Sequence, residues 1–65
     1  MAPGDAIVIK DVMRRYFSPT FYTGIIAGET TYDTIYSGKR WIVIWSDGTS
    51  GEYHSTVIMM GWKKI

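Results

Sequence analysis

The sequence predicts an all-β domain of five short strands, and two observations carry that expectation. The first is composition: the 65 residues contain no leucine, asparagine or glutamine, are rich in isoleucine, valine and threonine, and are 15% aromatic. Leucine is a leading helix former, whereas β-branched and aromatic side chains pack best on a pleated surface. The second is the stretch Arg40 to Tyr53, RWIVIWSDGTSGEY. Five apolar residues, Trp41 to Trp45, run into Ser-Asp-Gly, and Glu52-Tyr53 begin a return strand. This is a hairpin pattern, because Gly48 can take the positive φ that a tight reversal needs.

The remaining elements follow in chain order. Gly4-Asp5 precede a first strand, Ala6 to Lys10. Asp11 to Thr20 shows neither alternation nor a useful helical stripe, and with Ser18-Pro19 it reads as a long ordered loop. The second strand is Phe21 to Ala27, with Gly24 expected at a bulge or bend. Gly28 to Lys39, rich in Thr, Tyr and Gly, reads as another loop or an irregular hairpin. Arg40 to Ser46 and Gly51 to His54 are the third and fourth strands. Ser55-Thr56 can cap a single helical or 3₁₀ turn, and Ile58 to Lys64, interrupted by Gly61, is the fifth strand. No repeat or low-complexity linker divides the chain, so residues 1–65 form one domain. The layout suggests a small SH3-like barrel with a long first loop and a short helical turn before the last strand. Closing such a sheet on itself removes its open edges.

A chain this short hides only roughly 60% of its unfolded surface, so its core is marginal without a further stabiliser. The absence of cysteine excludes disulfides and thiolate metal sites, and a zinc site at the one histidine, His54, would need carboxylates for its other ligands. No metal or cofactor is therefore expected, and association with another chain is the stabiliser that remains. A net charge of +1 imposes no electrostatic demand for nucleic acid or an acidic membrane. The start, MAPGDAIVIKD, lacks the features of a signal peptide, and no run approaches a membrane span. The expectation is a soluble, cytoplasmic or otherwise intracellular protein.

Three segments carry a family resemblance: Gly4-Asp5, Tyr22-Thr23-Gly24-Ile25-Ile26, and Val43-x-Trp45-x-Asp47-Gly48. With these the chain resembles small SH3-like barrels of the Tudor and KOW type. It is most similar to short phage proteins with a GD…G-x-I…V-x-W-x-DG pattern, which implies an intracellular place in an infected host. The layout is also similar to that of the photosystem I accessory subunit and of the plasmid-borne type II dihydrofolate reductases. The reductase family builds its active site in a tetramer pore from a Val-Gln-Ile-Tyr segment and a lysine. This chain has no glutamine, and Ser55-Thr56-Val57-Ile58 occupies the nearest comparable place. That resemblance therefore implies an oligomer-forming architecture more than an activity.

Period-two alternation sorts the strand faces. On the third strand Trp41, Val43 and Trp45 are assigned inward, because the face with Ile42 and Ile44 ends in Arg40 and Ser46. On the first strand Ile7 and Ile9 point in, and Ala6, Val8 and Lys10 point out. Both strands then leave aliphatic residues outside. Burying each is worth roughly 1.5–3 kcal/mol, against a total stability of about 5–15 kcal/mol, so such a patch marks an interface. Val8, Ile42 and Ile44 are the expected contacts with another subunit or a partner protein. Met59-Met60-Gly61-Trp62, apolar on both parities, adds Met59 and Trp62 as residues that either close the barrel or dock into a neighbour.

Other constellations offer different chemistry. Lys10, Arg14, Arg15 and Tyr16, with Phe17, combine cations and aromatic faces suited to phosphate contact and base stacking, and Lys39-Arg40 and Lys63-Lys64 could extend that patch. The plain alternative is a solvated loop whose rings cover the barrel mouth, its charge balanced by Asp5, Asp11, Glu29 and Asp33. His54 beside Ser55 could serve as a general base, but a lone His-Ser pair without a second motif reads better as a hydrogen-bonded strand end. Tyr32, Tyr36, Tyr53 and the tryptophans could form an aromatic cage, provided that the rings converge. The leading expectation is a non-catalytic interaction or assembly module that binds itself or another protein, with no small-molecule substrate. A KOW- or Tudor-like nucleic-acid or transcription-complex binder comes second and an oligomeric pore enzyme third.

Overall fold

A computed structural model describes residues 1–31 and 38–65. Five strands form one antiparallel sheet: β1 (Ala6–Ile9), β2 (Thr23–Thr31), β3 (Lys39–Trp45), β4 (Ser50–His54) and β5 (Trp62–Lys64). Their spatial order is β4-β3-β2-β1-β5, so the first strand lies between the second and the last. One helix, α1 (Ser55–Gly61), precedes β5. The expected all-β class, with little helix, holds.

The hairpin between β3 and β4 forms where the alternation places it. Gly48 N–H donates to the Trp45 carbonyl (2.9 Å), and Trp45 N–H donates to the Thr49 carbonyl (2.8 Å). Gly48 sits at φ 88°, so the turn ends on a left-handed residue that lets the strands keep their twist. Asp47 Oδ1 accepts from the Thr49 hydroxyl (2.6 Å) and the Thr49 N–H (3.0 Å), fixing the tip.

The predicted parity of β1 and β3 also holds. Ile7, Ile9, Trp41, Val43 and Trp45 are buried, and with Ile26, Ile58 and Trp62 they make up the core. Gly24, by contrast, is no bulge: it pairs in register with Ile7 on one side and Trp45 on the other. The register shift comes between Ile26 and Gly28, at Ala27. Gly24 is instead a point of close approach, where the Trp45 ring and Val43 fill the space a side chain would need. The second strand is also longer than expected, running on to Thr31.

Two further expectations are corrected. Ile58 to Gly61 are helical rather than extended, and β5 is confined to Trp62–Lys64. His54 caps the helix, its Nδ1 accepting from Thr56 N–H (3.3 Å), and burial falls on Ile58 and Gly61, a spacing of three. A short apolar run cannot be assigned to helix or strand by periodicity, and here the cap decides. The first long loop folds into two 3₁₀ helices, Asp11–Tyr16 and Pro19–Phe21. It is held by aromatic contact: Phe17 meets Trp62 edge-on with centroids 5.0 Å apart, Phe21 meets Trp45 at 5.3 Å, and Trp62 Nε1 donates to the Phe21 carbonyl (2.8 Å).

Candidate functional site

The outer face of the sheet carries an apolar row that crosses four chain segments. Register places Ala6 opposite Ile25 and Ile25 opposite Ile44, and the Ile65 N–H donates to the Ala6 carbonyl (3.0 Å). Ile65, Ala6, Ile25 and Ile44 therefore stand side by side, with Ser50 of β4 next in line. The three isoleucines are 74%, 52% and 43% exposed respectively, although each neighbours strands whose opposite face is core. Thr23 and Ser46 border the row, and a shallow groove runs along it.

Val8 and Ile42 are half-buried and flank the row. Val8 lies two residues along β1 from Ala6, opposite Thr23 and Lys63; Ile42 lies two residues along β3 from Ile44, opposite Gly28 and Glu52. Of the expected interface set, Val8, Ile42 and Ile44 thus share one face. Met59 is exposed but lies on α1, where its carbonyl accepts from Lys10 Nζ (3.0 Å). Trp62 is corrected: at 4% exposure it is a core residue whose indole meets Trp45 and Phe17, so it offers no surface to a partner. Ile25 and Ile65 were not singled out from the sequence. The signal for Ile25 was available, because it alternates with the inward Ile26; Ile65 had none, because its position depends on β5 lying beside β1.

The cationic set lies on and at the start of the first 3₁₀ helix, with each side chain on a different partner. Arg14 Nε lies 3.5 Å from Asp11 Oδ1 and its guanidinium stands over the Tyr22 ring at 5.1 Å, while Arg15 stands over Tyr16 at 5.5 Å. Lys39 and Arg40 do not extend this group. They begin β3 about 20 Å from Trp45, the end that meets Phe21 of the first loop. Lys64 pairs with Asp5 at 3.5 Å, with its side chain still exposed.

The remaining sequence candidates resolve into structural roles. His54 Nδ1 faces Thr56, with Oγ1 at 2.8 Å, so the ring serves the helix cap and not Ser55. Tyr53 packs edge-on against Trp45, and its hydroxyl accepts from Trp45 Nε1 (3.1 Å), which ties it to the core. Tyr32 and Tyr36, the other members of the expected cage, and Asp33 lie outside the described residues. Among the described residues no three His, Asp or Glu side chains converge on a metal position, and no helix is long and apolar enough to cross a membrane. The side chains of Ile65, Ala6, Ile25 and Ile44 are all apolar, and together they can bury surface against a facing apolar surface. No protein-family model matches the chain, and neither characterised proteins nor solved structures give a significant match.

Proposed function

We propose that this chain is a non-catalytic assembly module that associates with a second copy of itself, or with a subunit of a larger particle, through the outer face of its sheet. The reading rests on the row Ile65–Ala6–Ile25–Ile44, aligned by backbone register and exposed to solvent. In the same reading the bulge at Ala27 bends β2 so that the sheet curls into an SH3-like barrel. The strand order β4-β3-β2-β1-β5 and the helical turn before β5 support that closure, as does the resemblance to Tudor- and KOW-type barrels and short phage proteins.

The magnitudes choose the conditions of the test. Half-exposed isoleucines each retain about 1 kcal/mol of unburied transfer energy. Six of them across a two-fold contact supply about 6 kcal/mol, near the lower bound of the cost of association. Val8, Ile42 and the polar rim must contribute the rest, so the contact is expected to form at tens to hundreds of micromolar. Sedimentation velocity over about 10 to 500 µM should show mass rising above the 7.4 kDa monomer. Ile25→Asp and Ile44→Asp should return it to monomer with an unchanged circular dichroism spectrum. A wild-type chain that stays monomeric throughout refutes self-association.

A further inference from the structure

A second surface lies where the first 3₁₀ helix meets α1. Lys10 N–H donates to the Gly61 carbonyl (2.9 Å), Lys10 Nζ donates to the Met59 carbonyl (3.0 Å), and the Met13 side chain lies against Gly61. These bonds fix the two elements against each other. Yet, among the described residues, they carry the most exposed hydrophobic side chains away from the sheet face: Val12 at 70%, Tyr16 at 67% and Met60 at 75%. The same junction carries Lys10, Arg14 and Arg15 against a single acid, Asp11, a local excess of two positive charges. The Asp11–Arg14 pair joins a carboxylate 93% exposed to a guanidinium 52% exposed, so water and salt screen it and Arg14 remains open to another anion.

We propose that this junction docks an acidic segment of a partner protein that carries at least one apolar anchor. Charge complementarity commits the surface to a negative partner, and the guanidinium forks of Arg14 and Arg15 suit carboxylates. The chemistry between the cations selects a polypeptide over a single-stranded nucleic acid. A nucleic acid needs a free ring face for each stacked base, whereas here the Tyr16 ring already has Arg15 against it and the partly exposed Phe17 ring is engaged edge-on by Trp62 and Phe21. Valine and methionine instead form an adaptable aliphatic surface of the kind that accepts varied side chains. This inference does not depend on the sheet face associating with anything.

The test is selection from a random library of displayed dodecapeptides on the immobilised full chain. Enriched peptides should be net acidic and share an aromatic or aliphatic residue. The best of them, fluorescein-labelled, should lose about tenfold in affinity on Arg15→Gln, more on Arg14→Glu with Arg15→Glu, and about tenfold on Met60→Ser with Val12→Ser. Raising salt from about 50 to 500 mM should weaken it further. Lys39→Gln, which removes the same charge at the far end of β3, should leave binding unchanged. All the altered side chains are exposed, and near-ultraviolet circular dichroism verifies that each variant is folded. The proposal is overturned by the absence of enrichment, by neutral or basic winners, or by affinities indifferent to these substitutions. Tighter binding of a fifteen-nucleotide thymidine oligomer also overturns it, and assigns the surface to nucleic acid.

Discussion

Gly24→Ala sets a single methyl against two core side chains and the backbone of a neighbouring strand at once. A Cβ there would stand 2.9 Å from Trp45 Cε3, 3.0 Å from Val43 Cγ1 and 3.0 Å from the Ile44 carbonyl oxygen. Carbon contacts are comfortable at about 3.5–4.0 Å, so each neighbour would have to retreat by half an ångström or more. None can do so cheaply: two belong to the core and the third is backbone. Gly24 cannot withdraw either, because it is paired to Ile7 and Trp45 on its two sides. Overpacking of this kind costs about 1–3 kcal/mol, and the narrower unfolded ensemble of alanine returns about 0.4–1 kcal/mol. A net loss of about 1–2 kcal/mol is a large share of a domain whose stability, at about 0.1 kcal/mol per residue, is roughly 6 kcal/mol. It should lower Tm by about 4–16 °C. Thermal unfolding followed by tryptophan fluorescence, at one fixed protein concentration, reads this directly. Gly28→Ala is the control, since its Cβ would make only an ordinary 3.8 Å contact with Ile42. A Gly24→Ala midpoint within about 2 °C of wild type, or an equal loss in Gly28→Ala, refutes the steric account.

Two further outcomes follow from polar contacts. Trp62→Phe strands the Phe21 carbonyl that the indole N–H now reaches at 2.8 Å, whereas Trp41 Nε1 is buried with no partner among the described residues. Trp62→Phe should therefore cost about 1–2 kcal/mol more than Trp41→Phe in urea denaturation, and equal costs would refute the assignment. The Asp47 carboxyl is held below its ordinary 3.8 by the Thr49 hydroxyl and then by the Thr49 N–H. A depressed folded value means that its stabilisation is complete above the unfolded pKa and disappears as pH falls through the folded one. The midpoint gap between wild type and Asp47→Ala should accordingly narrow as pH falls below the ordinary 3.8 and through the lowered folded value, and a constant gap would show that the carboxylate charge is irrelevant.

What could be read from the residues divides along physical lines. The β3–β4 hairpin was legible because β-branched and aromatic residues fill the run Trp41 to Trp45, because Arg40 and Ser46 mark its outer face, and because Gly48 supplies the left-handed dihedral of the turn. The same parity sorted Ile7 and Ile9 from Val8 and placed Ile42 and Ile44 outside. The last strand was not legible, because helix and strand compete over four apolar residues and the decision passes to His54, a side chain with many available roles. The role of Gly24 is hidden for a related reason: a glycine in a strand signals either a bend or a close approach, and only the Trp45 ring distinguishes them. The outer row was half legible, since Ile44 announces itself by alternation while Ile65 joins it only through a pairing distant in the chain.

That pairing has a kinetic corollary. β1 is bonded on one side to β2 and on the other to β5, where Ile7 faces Lys64 across 57 positions of chain (64 − 7). Contacts of such separation carry a large loop-closure cost before they return any stability, which sets small β domains among the slower folders, in milliseconds to seconds. Until Trp62 to Lys64 arrive, β1 keeps an open backbone edge directly beside the apolar outer row. A nascent or partly unfolded chain is thus stickiest at the surface proposed for assembly, and the rate at which the three residues of β5 dock governs whether copies meet as folded modules or as exposed strands.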